Sequence, residues 1–153
     1  MSSHVGNLAL FLVILIAGAC APSGHQEVRP NITSGQQLTE VLGQPVVQGA
    51  SPLGSGAELR TYSQCEYQLE KDVVTAKYCK PDEGQRTLQY WKQLWRGDST
   101  SYQELAGQSK MHGPDQYILD APSRGMSVVY DARIDRVVTV IEYGAARREE
   151  ISR

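Results

Sequence analysis

The chain has 153 residues, with 15 Lys and Arg against 17 Asp and Glu, a formal net charge of −2 and 7 % aromatic residues. A near-neutral balance without a basic stripe excludes a nucleic-acid-binding surface of the ordinary kind. The length suits one domain with a modest core.

The first element is the apolar run in "LALFLVILIAGAC". From Leu8 to Ala17 it lasts about ten residues where a membrane-spanning helix needs ~20, so it reads as the apolar centre of a signal peptide. Small residues Ala17, Gly18 and Ala19 then lead to Cys20, the pattern at which a signal peptidase cleaves before a lipid-modified cysteine. The sequence thus predicts a lipoprotein signal peptide over residues 1–19 and a membrane anchor through lipid, such as palmitate, on Cys20. The resemblance to the bacterial lipobox implies sorting to the outer membrane, since Ala21 stands where a retained lipoprotein carries Asp. Residues 20–32 read as the lipidated cysteine and a flexible tether that includes His25.

The main domain is expected over 33–145. Ser34 with Gln37 forms a capping-box pattern for a short helix whose apolar side is Leu38, Val41 and Leu42, with Gly43 to end it and Pro45 to prevent it resuming. Strands follow in "ELRTYSQ" and in the hairpin "CEYQLEKDVVTAKYC". Centred on Asp72, that hairpin sets Tyr67 opposite Lys77, Leu69 opposite Thr75 and Cys65 opposite Cys79. Export to an oxidising compartment then predicts a Cys65–Cys79 disulfide, with about 3 kcal/mol of stabilisation for so short a loop. Next, Leu88, Trp91, Leu94 and Trp95 fall at helical spacing and predict an amphipathic helix ending at Gly97, its tryptophans serving as core. The tripeptide Arg96-Gly97-Asp98 is explained by a helix stop and a cap.

An offset of 64 takes Glu40, Gly43 and Gln44 to Glu104, Gly107 and Gln108, and Val73-Val74-Thr75 to Val137-Val138-Thr139. This predicts an α+β fold of short helices packed on antiparallel sheet, built as two tandem helix-plus-hairpin units at about 33–80 and 98–144, with a charged tail at 146–153. The second hairpin, "GMSVVYDARIDRVVTVIEY", turns at about Ala132 to Asp135. Along its last strand Val138 and Val140 share one face, and Val137, Thr139, Ile141 and Tyr143 the other. A sheet with helices on one side needs only one apolar face, so the second stripe calls for a cover.

Chemistry-bearing residues are few. His112 and Asp115 lie in a Gly-Pro-rich loop, Asp131 and Asp135 bracket a turn, and no HExxH, GxSxG or P-loop occurs. No catalytic residue, cofactor or metal site is expected.

The helix closing in "LTEVLGQP", the hairpin after it and the segment "VRPNITSGQQL" with Arg29, Pro30, Ile32 and Gly35 resemble the BamE/SmpA-OmlA family of outer-membrane lipoproteins. The wider fold group includes the beta-lactamase inhibitor proteins, whose helix-plus-sheet unit occurs in tandem. The resemblance covers about 28–79 and, through the repeat, 98–143. It implies a non-enzymatic scaffold in outer-membrane protein assembly, lipid-anchored at the periplasmic face, that binds an envelope protein partner through its sheet. Tyr130, Ile141 and Tyr143 are the candidate contacts. The alternative is a periplasmic inhibitor of a hydrolase, acting through a protruding loop such as "KMHGPDQ".

Overall fold

A computed structural model describes residues 24–52, 56–98, 100–104 and 115–143. A 3-10 turn at Gly24–Gln26 leads to helix α1 (Gly35–Leu42) and strands β1 (Val47–Ala50), β2 (Glu58–Thr61), β3 (Cys65–Glu70) and β4 (Val73–Cys79). A second 3-10 turn at Glu83–Gln85 leads to α2 (Leu88–Leu94) and strands β5 (Ser101–Glu104), β6 (Gln116–Ala121), β7 (Met126–Asp131) and β8 (Arg136–Tyr143). The strands form one antiparallel sheet of eight, in the order β1-β2-β3-β4-β8-β7-β6-β5.

This corrects the expectation of two tandem helix-plus-hairpin units. Each helix precedes four strands rather than two, and β4 pairs with β8, Cys79 opposite Val140 and Ala76 opposite Tyr143, so one continuous sheet runs through both halves. The second half's helix is α2, before residue 98, and the segment after 98 is strand β5. The constant offset misled because it fits only the last strands: Val73–Cys79 and Arg136–Tyr143 do correspond, whereas Glu104 ends a strand where Glu40 sits in a helix. β1, "VQGA", is too short and glycine-containing to announce itself; it is a strand because β2 offers it a ladder from Val47–Thr61 to Ala50–Glu58.

Local chemistry explains the elements that the sequence did announce. Ser34 accepts from the Gln37 amide while Gln37 accepts from the Ser34 amide, closing the capping box. Gly43 ends α1 at a φ of +79°, a region that disfavours residues with a Cβ. The β3–β4 turn is made by Lys71 and Asp72, both with positive φ (50° and 62°). Tyr67 faces Lys77 and Cys65 faces Cys79 as expected, but a bulge at Gln68/Leu69 sets Leu69 against Val74 rather than Thr75.

Two core clusters lie on the helix-covered face, and Ala76, Val129 and Tyr143 are buried on the other. Val28, Leu38, Tyr62, Cys65, Tyr67, Leu69 and Val74 pack beneath α1. Trp91, Trp95, Leu119, Ala121, Val128, Val137 and Val140 pack beneath α2. Val137 and Val140, three apart, share this face because a second bulge at Val129/Tyr130 shifts the β7–β8 ladder, so strict alternation along β8 does not hold. Leu88 packs against the cluster, while Leu94 is exposed. α2 is capped by Trp95, and Gly97 follows with a φ of +91°.

Candidate protein-docking surface

Within the segment read as tether, Val28 and the His25 ring reach the core cluster beneath α1 while Gln26, Glu27, Arg29, Asn31 and Ile32 are exposed. Val28 is buried, and the His25 ring stacks on Tyr67 with Nδ1 2.7 Å from the tyrosine hydroxyl. Burial, then the nearby Lys77 charge, lowers the His25 pKa from its ordinary value. Lys77 is itself buried and donates to Glu142 at 3.1 Å across the β4–β8 seam. Beside this pair a cavity of about 200 Å³ is lined by His25, Asp82, Gln85, Trp91 and Met126 among others. Lys77 and Lys80 border it together with Asp82 and Glu142, so the cavity shows no preference for an anion or a cation.

Cys65 and Cys79 are joined by a disulfide with Cα atoms 4.1 Å apart, on facing positions of β3 and β4. Cys20 lies outside the described residues, as do His112 and most of the "KMHGPDQ" segment; Asp115 has a φ of +64° and Gln116 opens β6. The other two acids act at a turn. Asp131 accepts from the Arg133 guanidinium and amide and from Gln116; chiefly the Arg133 side chain holds its pKa down at about 2. Asp135 accepts from the Tyr130 hydroxyl at 2.7 Å, which pushes that phenol up to about 12.

The three candidate contacts do not form one surface. Tyr130 packs against the cluster beneath α2, on the helix-covered face. Ile141 and Tyr143 lie on the opposite face, where β8 pairs Ile141 with Tyr78 of β4 and with Ser127 of β7. Ile141 is half-buried, whereas Tyr143 is only 6 % exposed and its hydroxyl donates to Asp120 at 2.5 Å. Ser127 donates to the same carboxylate oxygen. Asp120 is thus fixed as the acceptor for two hydroxyls, a network that orders β6, β7 and β8 side by side but places no imidazole beside the serine.

The ladders also assign side chains that periodicity alone did not single out. Tyr78, Gln68, Ile118 and Asp120 share the face of Ile141, with the Tyr78 hydroxyl 3.3 Å from the Gln68 carbonyl. Neither core cluster includes a residue of this face, and both described helices pack on the other. The signal that could have found Tyr78 was its place one residue before Cys79, on the side of β4 opposite the disulfide. At the disulfide end of the sheet a recess of about 300 Å³ lies between Thr61, Gln64, Glu66, Tyr78 and Thr139.

Among the described residues no group of three or more His, Cys, Asp or Glu is placed to hold a metal ion, and no helix is long and apolar enough to cross a membrane. The chain matches no family model, no curated protein and no solved structure.

Proposed function

We propose that this chain is a non-enzymatic, lipid-anchored protein of the outer membrane that acts as a scaffold in cell-envelope assembly, binding a protein partner through the face of its sheet away from α1 and α2. The observation that carries the reading is that both described helices pack on one face of the sheet, while the half-buried Ile141, Tyr78 and Ile118 lie on the other. An apolar and tyrosine-bearing sheet face is the kind of surface that gains from association. The anchor rests on the apolar run and small residues that end at Cys20. The oxidising compartment it implies agrees with a Cys65–Cys79 bridge.

Ile141→Asp tests the docking reading. Ile141 is half-buried, so water can solvate a carboxylate there in the free protein, whereas a bound partner would strip that water away. The variant should keep its thermal midpoint and lose capture of its partner from detergent-solubilised envelopes. Unchanged midpoint with unchanged capture refutes docking at this face; collapse of the fold shows that Ile141 is internal. For the anchor, incorporation of labelled palmitate should disappear in Cys20→Ser, and its survival would refute lipidation at that thiol.

A further inference from the structure

The two core clusters leave a gap over the middle of the sheet. The cluster beneath α1 takes its strand residues from β3 and β4, and that beneath α2 from β6, β7 and β8. Between them, on the helix-covered side, lies the cavity of about 200 Å³, with the β4–β8 seam as its floor: Lys77 stands opposite Glu142 there, and Cys79 opposite Val140. His25 borders it from the segment before α1, and Gln85 and Trp91 border it from the second half. Such a space holds about six waters, or one small organic molecule of like bulk.

The floor carries charge at a depth where charge is costly. The Lys77 side chain is only 8 % exposed, and its ammonium has three N–H donors but one acceptor among the described residues, Glu142 at 3.1 Å. Two donors of a nearly desolvated cation are thus left for an acceptor that enters the cavity. Lys80 and Asp82, both exposed, add one charge of each sign at the rim. A lone anion or a lone cation therefore meets repulsion along with attraction, whereas a molecule bearing both signs can orient to gain from each. Beside the charges the lining is apolar, through Trp91, Met126 and Val140.

We infer that this cavity is a binding site for a free α-amino acid with an apolar side chain. The carboxylate takes the remaining donors of Lys77, and the ammonium lies toward Glu142 and Asp82. The side chain rests against Trp91, Met126 and Val140, so a few placed charges orient the ligand and apolar contact holds it. The site lies on the helix-covered side of the sheet and does not depend on docking at the opposite face.

The test titrates the oxidised full-length protein with L-leucine, L-methionine and L-valine and follows backbone amides and the two indole N–H groups by proton–nitrogen NMR. Isocaproate, which lacks the ammonium of leucine, and isoamylamine, which lacks its carboxylate, are the single-charge controls. At least one of the amino acids should give saturable shifts at Lys77, Glu142 and the Trp91 indole, leaving β1 unmoved. Both controls should bind at least tenfold more weakly than leucine, and Lys77→Met should weaken the amino acid by at least tenfold. Where Lys77→Met does not fold, Asp82→Asn at the exposed rim serves instead, and should weaken leucine while leaving isocaproate unchanged. No saturable shift with any of the three means that the cavity holds water only and overturns the inference. Controls as tight as leucine, shifts confined to other parts of the sheet, or an affinity indifferent to the variant that folds also overturn it. None of these outcomes bears on docking, which Ile141→Asp tests separately.

Discussion

Under α1 the sheet supplies the bulk: Tyr62, Tyr67 and Leu69 rise toward a helix whose fully buried large side chain is Leu38. Under α2 the helix end supplies it, through Trp91 and Trp95, over the smaller Leu119, Ala121, Val128 and Val137. The reason lies in how close each helix can come. At the start of α1, Gly35 donates to the Asp72 carbonyl at 2.9 Å, and a Cβ there would overlap the Asp72 side chain. That close approach leaves little room for large helix residues, so the sheet must reach up. The approach to α2 is tied to the sheet two residues earlier, where the Val137 amide donates to the Arg86 carbonyl at 2.8 Å, and two indoles occupy the space beneath the helix. One sheet can therefore be covered by large residues from either partner, with different vulnerabilities in its two halves.

Four variants probe that difference, and the largest effect should come from the indole side. Trp91 is 2 % exposed and its Nε1 donates to the Gln85 carbonyl at 2.7 Å, so Trp91→Ala removes volume and leaves that carbonyl without its donor. A loss of about 4 kcal/mol is expected in urea denaturation. Because β4 and β8 join the halves, the loss should appear in one cooperative transition; two separated transitions would show that the halves fold independently. On the other side, Cys65→Ser/Cys79→Ser should cost about 3 kcal/mol by releasing the loop between positions 14 apart, and the oxidised protein with Cys20 replaced should show no titratable thiol after denaturation.

A smaller effect is expected at the α1 cap. Ser34→Ala breaks the reciprocal bonds with Gln37 and should cost about 1 kcal/mol, read as a lower urea midpoint. The smallest belongs to His25. Its folded pKa is lowered, so the unfolded chain takes up the proton first: the stabilisation is whole above about 6.5 and is lost as pH falls through that value toward the folded pKa. The thermal midpoint should drop less between pH 7.5 and pH 5.5 in His25→Gln than in the parent, and equal drops would show that His25 does not sense this range.

What the sequence made legible was local. The α1 cap, the helix carrying Trp91 and Trp95, and the Cys65–Cys79 hairpin each announce themselves within about 15 residues, through cap chemistry, apolar period and symmetric spacing about a turn. The pairing of β4 with β8 and the strand character of Val47–Ala50 depend on neighbours distant in the chain, and neither leaves a local trace. The bulges at Gln68/Leu69 and Val129/Tyr130 each add one residue and flip the alternation beyond them. This is why Tyr130 and Ile141, which simple alternation along the hairpin made partners in one surface, lie on opposite faces.

The β4–β8 seam also sets an order of events during synthesis. β8 is the last of the eight described strands to leave the ribosome, yet it occupies a central place in the sheet. Until it arrives, β4 and β7 each have one side without the neighbour that they pair with in the finished molecule, and Lys77 waits for Glu142. A nascent chain halted before residue 136 would carry two open strand edges rich in Val and Tyr, which are templates for pairing with other chains. A chaperone that holds the emerging polypeptide would be needed most in the interval between β7 and β8.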